Sequence, residues 1–275
     1  MAEILYGAPV AEKIRRETEN IISGLSAAPR VAVLRMSGDA EQLAYEQAVL
    51  RYCAQLGIEA ESRLVPCGAL RQTIESVNSQ ESFHGCMILC PLPEGEDDAA
   101  LDLLAPEKDI DGASALSLGR LFTGRGEFFA PCTAEACLEL LDYYNIELAG
   151  ARVCVIGRSL AVGRPLAALL QRRDATVTVC SRSTRELAAV CRQADILIPA
   201  AGAPGLVDRD FTHPGQVIID VGISSVEGRT LGDVDMESVS PIAGAVSPVP
   251  GGVGSVTTAV LARHAALAAE KEVLV

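Results

Sequence analysis

The residues best suited to hold a phosphate stand in one stretch, Gly157-Arg158-Ser159-Leu160-Ala161-Val162-Gly163-Arg164-Pro165, entered from the apolar run ARVCVIG and leaving into a helical pattern that ends near Arg172. Glycine permits a tight turn and a close approach of backbone to a pyrophosphate, while the free N–H groups of a helix start attract its charge. The spacing is not G-x-G-x-x-G, so a plain strand-to-helix turn stands as the alternative. The next apolar strand, ATVTVC, ends in Ser181-Arg182-Ser183-Thr184 and carries no carboxylate. An acidic residue there would hold a ribose 2′-hydroxyl and repel a 2′-phosphate, whereas Arg158, Arg182 and the serines can bind that phosphate. The pattern favours NADP over NAD.

Other potentially reactive groups carry less. Nine cysteines are scattered singly through apolar runs, and the odd number reads as buried reduced thiols rather than a disulfide framework. His84, Cys86 and Cys90 share a side if residues 84–90 form a strand, but a strand inside a sheet offers a metal no open access, so no metal site is expected. A net charge of -13 argues against an extended nucleic-acid surface. No apolar run reaches the roughly 20 residues of a spanning helix, and MAEILYGAPVAEKIRRE carries charge where a signal peptide needs an apolar stretch. The expectation is a cytoplasmic protein with a small-molecule partner, no nucleic acid and no membrane.

The elements that must position these residues alternate from the start. Helical periodicity covers Pro9 to Leu25, Gln42 to Leu56 and Leu70 to Asn78, and buried strands are read at Arg30 to Leu34, Glu59 to Val65 and Gly85 to Leu89. The acidic stretch Glu94, Glu96, Asp97 and Asp98 suits a solvated helix start, with the helix running to Leu104 and the polar turn PEKDIDG following. Another helix is read between Pro131 and Leu141. From Ala151 the strand-helix pattern restarts with ARVCVIG, ATVTVC, ADILIPAAG and VIIDVG. The fold class is α/β, with two doubly wound domains, the C-terminal one Rossmann-like, joined by long helices with a cleft between. The divisions expected are 1–131 plus 255–275, and 132–254.

VIGRSLAVGRP, ADILIPAAGAPG, VIIDVGI, LGDVD and PVPGGVG, with CPLP, PEKDIDG, PCT and LLDYYNI upstream, stand in the order and spacing of one family over almost the whole chain. The sequence resembles the bifunctional methylenetetrahydrofolate dehydrogenase/methenyltetrahydrofolate cyclohydrolase family. That resemblance implies an NADP-dependent oxidation of 5,10-methylenetetrahydrofolate, tetrahydrofolate derivatives as partners, and a homodimer. It assigns the pterin contact to Asp111, whose carboxylate can accept from amino and ring N–H groups, while Asp109 reads as a turn cap. It places Tyr45 in stacking contact with the folate, so Tyr45 and Asp111 are the catalytic candidates. Pro250, Gly251 and Gly252 of PVPGGVG present bare backbone to a flat ring or nicotinamide; a rigid connector is the alternative from the residues alone. Ile223 joins Gly157, Arg158, Ser159, Gly163, Arg164, Pro165, Ser181 and Arg182 among the cofactor contacts.

Departures from the family gather on the folate side. The family motif Tyr-x-x-x-Lys places its lysine one helical turn past the tyrosine; here Tyr45-Glu46-Gln47-Ala48-Val49 puts valine there, while Cys53 and Gly57 keep the family spacing. The family's Gln-Leu-Pro-Leu-Pro is Leu89-Cys90-Pro91-Leu92-Pro93, Gln42 replaces a serine, and Ser114 and Ser117 stand where His and Asn are common. Hydride transfer chiefly needs the reacting carbons held in contact, but hydrolysis of the methenyl cation needs proton transfers that valine cannot perform. Three readings follow: a dehydrogenase with weak or absent cyclohydrolase activity, which is favoured; the full bifunctional enzyme with Arg51 or Lys108 as substitute base, Lys108 otherwise reading as a plain surface residue; and a non-catalytic folate or nucleotide-binding paralogue.

Overall fold

The computed structural model describes residues 1–226 and 228–273. The chain divides into two compact units, one made of Met1–Ala11 with Thr133–Thr257 and the other of Glu12–Cys132 with Thr258–Val275. The sequence pattern put residues 1–131 in a single division, and the structure moves the N-terminal segment out of it. The cause is β1 (Glu3–Ile4), which pairs in parallel with a strand far along the chain, Glu3 opposite Ala245 and Ile4 opposite Val246. Two residues of strand are too few to show a period. The unit boundaries fall within α1 (Gly7–Ser23) and close to residues 132 and 257.

In the unit of Glu12–Cys132 the expected alternation holds: β2 (Arg30–Arg35), α2 (Ala40–Gln55), β3 (Glu59–Leu64), α3 (Leu70–Ser79) and β4 (Gly85–Ile88). The strands form a parallel sheet in the order β3-β2-β4, so the chain winds to one side of β2 and then to the other. Such a reversal creates a crevice at the carboxyl ends of the strands, where open α/β sheets bind ligands. Asp39 starts α2 by accepting the Gln42 N–H at 2.8 Å, and Gly57, at φ +74°, turns the chain after it. Every residue of β4 is buried, and α3 lays Leu70, Ile74 and Val77, one helical stripe, against Ala32, Leu34, Phe83 and Ile88. Each large apolar side chain so buried contributes roughly 1.5–3 kcal/mol.

The acidic stretch leads into a short 3-10 helix, Asp98–Leu103, rather than an α-helix, and Asp97 caps it through the Ala99 N–H at 3.0 Å. A further helix, α4 (Ala115–Thr123), follows the DIDG turn without having shown in the sequence pattern; Ser114 caps its start and Gly124, at φ +67°, closes it. Then comes α5 (Cys132–Tyr143).

The other unit continues with β5 (Arg152–Ile156), α6 (Gly163–Gln171), β6 (Thr176–Cys180), α7 (Leu187–Cys191), β7 (Ile196–Pro199) and β8 (Val217–Ile218). It ends with the hairpin of β9 (Ser224–Val226) and β10 (Arg229–Leu231), then α8 (Met236–Val239) and β11 (Ala245–Val246); α9 (Val253–Val273) starts in this unit and from Thr258 onward belongs to the unit of Glu12–Cys132. Its six-stranded sheet runs β1-β11-β8-β7-β5-β6, all parallel, with the reversal between β5 and β7. The strand expected over 217–222 is shorter than its apolar run, yet Ile219 and Val221 still donate to Leu197 and Pro199 carbonyls at 2.9 Å. Among the described residues, no helix is long and apolar enough to cross a membrane.

Candidate active site

In the nucleotide-type unit every candidate segment follows the carboxyl end of a strand in the same sheet. Residues 157–165 follow β5, Ser181 and Arg182 follow β6, Ile223 lies beyond β8, and 248–252 lie beyond β11. The loop after β5 is held by sterics. A Cβ on Gly157, whose φ is +132°, would sit 2.2 Å from the Ala200 carbonyl oxygen, and one on Gly163 would sit 2.1 Å from the Gly157 oxygen. Only bare backbone fits there, and the resulting cradle at the start of α6 suits a pyrophosphate. Ser159 accepts the Val162 N–H at 3.1 Å; Arg158, Ser159 and Arg164 are exposed, and Pro165 is buried in the first turn. After β6, the Ser181 N–H donates to Thr184 Oγ at 2.9 Å, a turn that leaves Arg182 and Ser183 exposed. The Ile156–Cys180 register sets Ser181 and Arg182 beside Gly157, whose N–H donates to the Cys180 carbonyl at 3.0 Å.

PVPGGVG also depends on close backbone approach. A Cβ on Gly252 would lie 2.5 Å from the Pro248 oxygen, and Gly251, at φ +105°, accepts the Gly7 N–H at 2.8 Å. Pro250 and Gly251 are exposed while Gly252 is buried. Ile223, 63% exposed, touches the Gly254 position, where a Cβ would lie 3.7 Å from its Cδ1.

Two carboxylates that support these loops were passed over in the sequence. Asp233, 0% exposed, accepts the N–H groups of Ala201, Gly202 and Ala203 at 2.6, 3.2 and 2.6 Å and so fixes the turn after β7. Asp220, 1% exposed, accepts from Gly222, Asp233 and Val234, each at 3.0 Å. Burial pushes its carboxyl up to about 6, against the pull of those donors. A Cβ on Gly222 would fall 2.2 Å from the Asp233 carboxylate and one on Gly232 2.0 Å from Asp220 Oδ2. No local pattern marks either: Asp220 stands in VIIDVG and Asp233 in LGDVD, and neither stretch shows that three backbone N–H groups converge on its carboxylate.

On the folate-type unit Tyr45 lies half-buried on α2 and Asp111 half-buried after the DIDG turn. Asp109 caps that turn, as expected, accepting from Ala113 at 3.0 Å and Ser114 at 2.9 Å. Gly112, at φ +61°, passes so close to residues 129–131 that a Cβ would meet the Phe129 oxygen at 2.5 Å. Burial, opposed by donation from the Cys132 thiol, raises the Asp111 carboxyl to about 6. Burial first and the Asp111 charge second hold the Tyr45 phenol well above the usual tyrosine range. The two candidates are thus electrostatic neighbours, one an acceptor and one a neutral aromatic face.

Around them the substituted positions are apolar and closed. Val49 is 1% exposed and Leu89 3%, and Gln42 sends its Nε2 to the Pro91 carbonyl at 2.9 Å. Lys108 is not a surface residue: it is buried, and its Nζ donates to the Val77, Asn78 and Gln80 carbonyls at 3.1, 3.1 and 2.8 Å, closing the end of α3. An ammonium so occupied has no lone pair for a base. Arg51 is exposed on α2. His84 Nδ1 accepts the Arg30 N–H at 2.9 Å, Cys86 is fully buried and Cys90 is exposed.

Family models and full-length relatives point to one family. A family model described as the tetrahydrofolate dehydrogenase/cyclohydrolase NAD(P)-binding domain matches residues 131–273, and one described as the catalytic domain of tetrahydrofolate dehydrogenase/cyclohydrolase matches 5–111. The chain is 40% identical over 281 residues to the bifunctional protein FolD of Carboxydothermus hydrogenoformans, covering 98% of each. Its structure is similar to that of the bifunctional enzyme FolD, methylenetetrahydrofolate dehydrogenase/cyclohydrolase, from Campylobacter jejuni: TM-score 0.95, 32% identity, 99% of this chain and 100% of that one. The Trypanosoma brucei methylenetetrahydrofolate dehydrogenase-cyclohydrolase, solved with NADP cofactor and inhibitor, gives a TM-score of 0.92 at 32% identity over 99% and 98%.

Proposed function

The chain belongs to the tetrahydrofolate dehydrogenase/cyclohydrolase family, and from that premise we propose that it oxidises 5,10-methylenetetrahydrofolate to 5,10-methenyltetrahydrofolate with NADP, in one-carbon metabolism, while hydrolysis to 10-formyltetrahydrofolate is weak or absent. One observation carries this reading. Asp111 and Tyr45 keep a shaped polar corner, whereas positions 49 and 89 beside the same helix and strand are closed and apolar. The steric cradle of Gly157 and Gly163 fits a dinucleotide, with Arg158, Ser159, Arg164 and Pro165 around its pyrophosphate. When bound, that nucleotide accepts the hydride. The protein's share is to hold and orient: Asp111 accepts from the pterin edge, Tyr45 covers its face, and no residue needs to take a proton during transfer.

Ser181 and Arg182, with no carboxylate after β6, support NADP over NAD, and the family resemblance supports a homodimer. The decisive assay supplies methylenetetrahydrofolate with NADP or NAD and follows the absorbance of the methenyl product and the reduced nucleotide. Equal accumulation of both, faster with NADP, is the expected result. If neither forms while the protein binds both ligands, the non-catalytic folate and nucleotide-binding reading replaces this one.

A further inference from the structure

His264 on α9 is 3% exposed and lies against the back of the Asp111 segment. Its Nδ1 is 2.8 Å from the Ile110 carbonyl oxygen, which can only accept, so Nδ1 carries the proton and donates. The ring is held by Phe129, with centroids 4.8 Å apart at 35°. The same nitrogen is 3.6 Å from Cys132 Sγ. That thiol has two acceptors in reach: the Ile110 oxygen at 3.4 Å and the Asp111 carboxylate. The Cys132 backbone N–H also donates to Asp111.

We propose that His264 is a positioning residue for folate binding, which occupies the Ile110 carbonyl and thereby directs the Cys132 thiol proton to the Asp111 carboxylate that holds the pterin. It touches neither substrate nor nucleotide, and acts through Ile110 and Cys132. This inference rests on the reading of Asp111 given above. The electrostatic setting supports it: among the groups facing Asp111 and its thiol, Asp109 raises the carboxyl, while Cys132 and His264 lower it, and Tyr45 and Cys90 feel its charge. Losing a donor from this set favours the protonated acid, which no longer accepts from the pterin.

The test compares the parent with His264→Ala, His264→Asn and Cys132→Ala, measuring kcat and KM for methylenetetrahydrofolate from pH 5 to 8 and the dissociation constant of tetrahydrofolate by calorimetry. In the parent, the folate KM rises as pH falls through about 6. His264→Ala is expected to raise KM by roughly tenfold, the size of one lost hydrogen bond to a charged group, with kcat and the NADP KM little changed, and to move the acid rise to higher pH. Cys132→Ala shifts the profile in the same direction, and the double variant adds little to either. His264→Asn, whose amide can donate to Ile110, restores most of the affinity. A purely structural histidine would lower thermal stability without moving the pH at which KM rises, and an unmoved profile in His264→Ala overturns the proposal. If that variant does not fold, an unmoved profile in Cys132→Ala overturns it equally. A parent that neither turns over nor binds tetrahydrofolate defeats the functional reading and this inference with it, whereas a working parent with unaltered variants defeats this inference alone.

Discussion

The two units hold their candidate sites by different means. After β5, β8 and β11 the nucleotide unit uses backbone, and Gly157, Gly163, Gly222 and Gly252 are fixed because a single carbon would strike a carbonyl or carboxylate at 2.1–2.5 Å. On α2 and after β4 the folate unit uses side chains projecting from regular elements. There a valine at 49 and a leucine at 89 pack at 1% and 3% exposure with the helix and strand intact. A site made of backbone cannot lose its chemistry without losing its local fold, whereas one made of side chains can lose a lysine and stay folded. Apolar replacements at closed positions even remove the desolvation cost of a buried ammonium.

The sharpest way to break this contrast is to return the missing pair. Val49→Lys with Leu89→Gln is expected to raise methenyltetrahydrofolate hydrolysis by roughly a hundredfold or more, the scale of a positioned acid–base group, while either change alone does little. A lone lysine in this apolar wall is desolvated and unoriented; glutamine supplies the partner that aims its nitrogen. Decay of methenyltetrahydrofolate followed by absorbance reads the result. A double variant that folds and binds folate, yet hydrolyses no faster than the parent, shows that the side-chain pair is not what limits this site.

Next in size is a change on the backbone side. Gly163→Ala places a methyl 2.1 Å from the Gly157 oxygen, and relief of that overlap by local strain costs about 2 kcal/mol, or roughly thirtyfold in NADP affinity. Tetrahydrofolate binding is expected to persist. Calorimetry with each ligand tests both statements, and unchanged NADP affinity counts against the cradle. A smaller effect belongs to Arg182→Ala, expected to weaken NADP by roughly tenfold through loss of a charge-assisted contact to the 2′-phosphate while leaving NAD nearly unaffected. Equal losses for both nucleotides would move the phosphate contact elsewhere.

What the sequence disclosed follows the same division. The glycine loops, the parallel alternation and the DIDG cap were legible because each rests on local sterics or period: Gly157 and Gly163 in their cradle, α3 with its stripe, Asp109 with its two backbone donors. The departures at Val49 and Leu89 were legible only against a family pattern. Long-range placement was not. β1 is two residues long and finds β11 more than two hundred positions away, and His264 reaches the Ile110 carbonyl from the far end of the chain. Asp220 and Asp233 were not legible because nothing local announces a carboxylate that accepts three backbone N–H groups in the interior.

Lys108 poses the remaining challenge to the contrast, since a relocated base would mean that the folate unit moved its chemistry rather than lost it. Its sequence position, three residues before Asp111, invites that reading. Geometry opposes it: all three ammonium hydrogens have carbonyl acceptors, from Val77, Asn78 and Gln80, within 3.1 Å. Those carbonyls belong to the end of α3, where the helix dipole also favours a cation, so the ammonium is committed to a structural role there. Lys108→Met keeps the length of the stem and removes only the donors. It is expected to lower the unfolding free energy by about 1–3 kcal/mol, the cost of stranding buried carbonyls, measured by urea denaturation. On the residual rate of methenyltetrahydrofolate hydrolysis it is expected to have no effect. A stable Lys108→Met protein whose residual hydrolysis disappears would make Lys108 the base after all, and the apolar wall at Val49 and Leu89 would then record a displaced mechanism instead of an absent one.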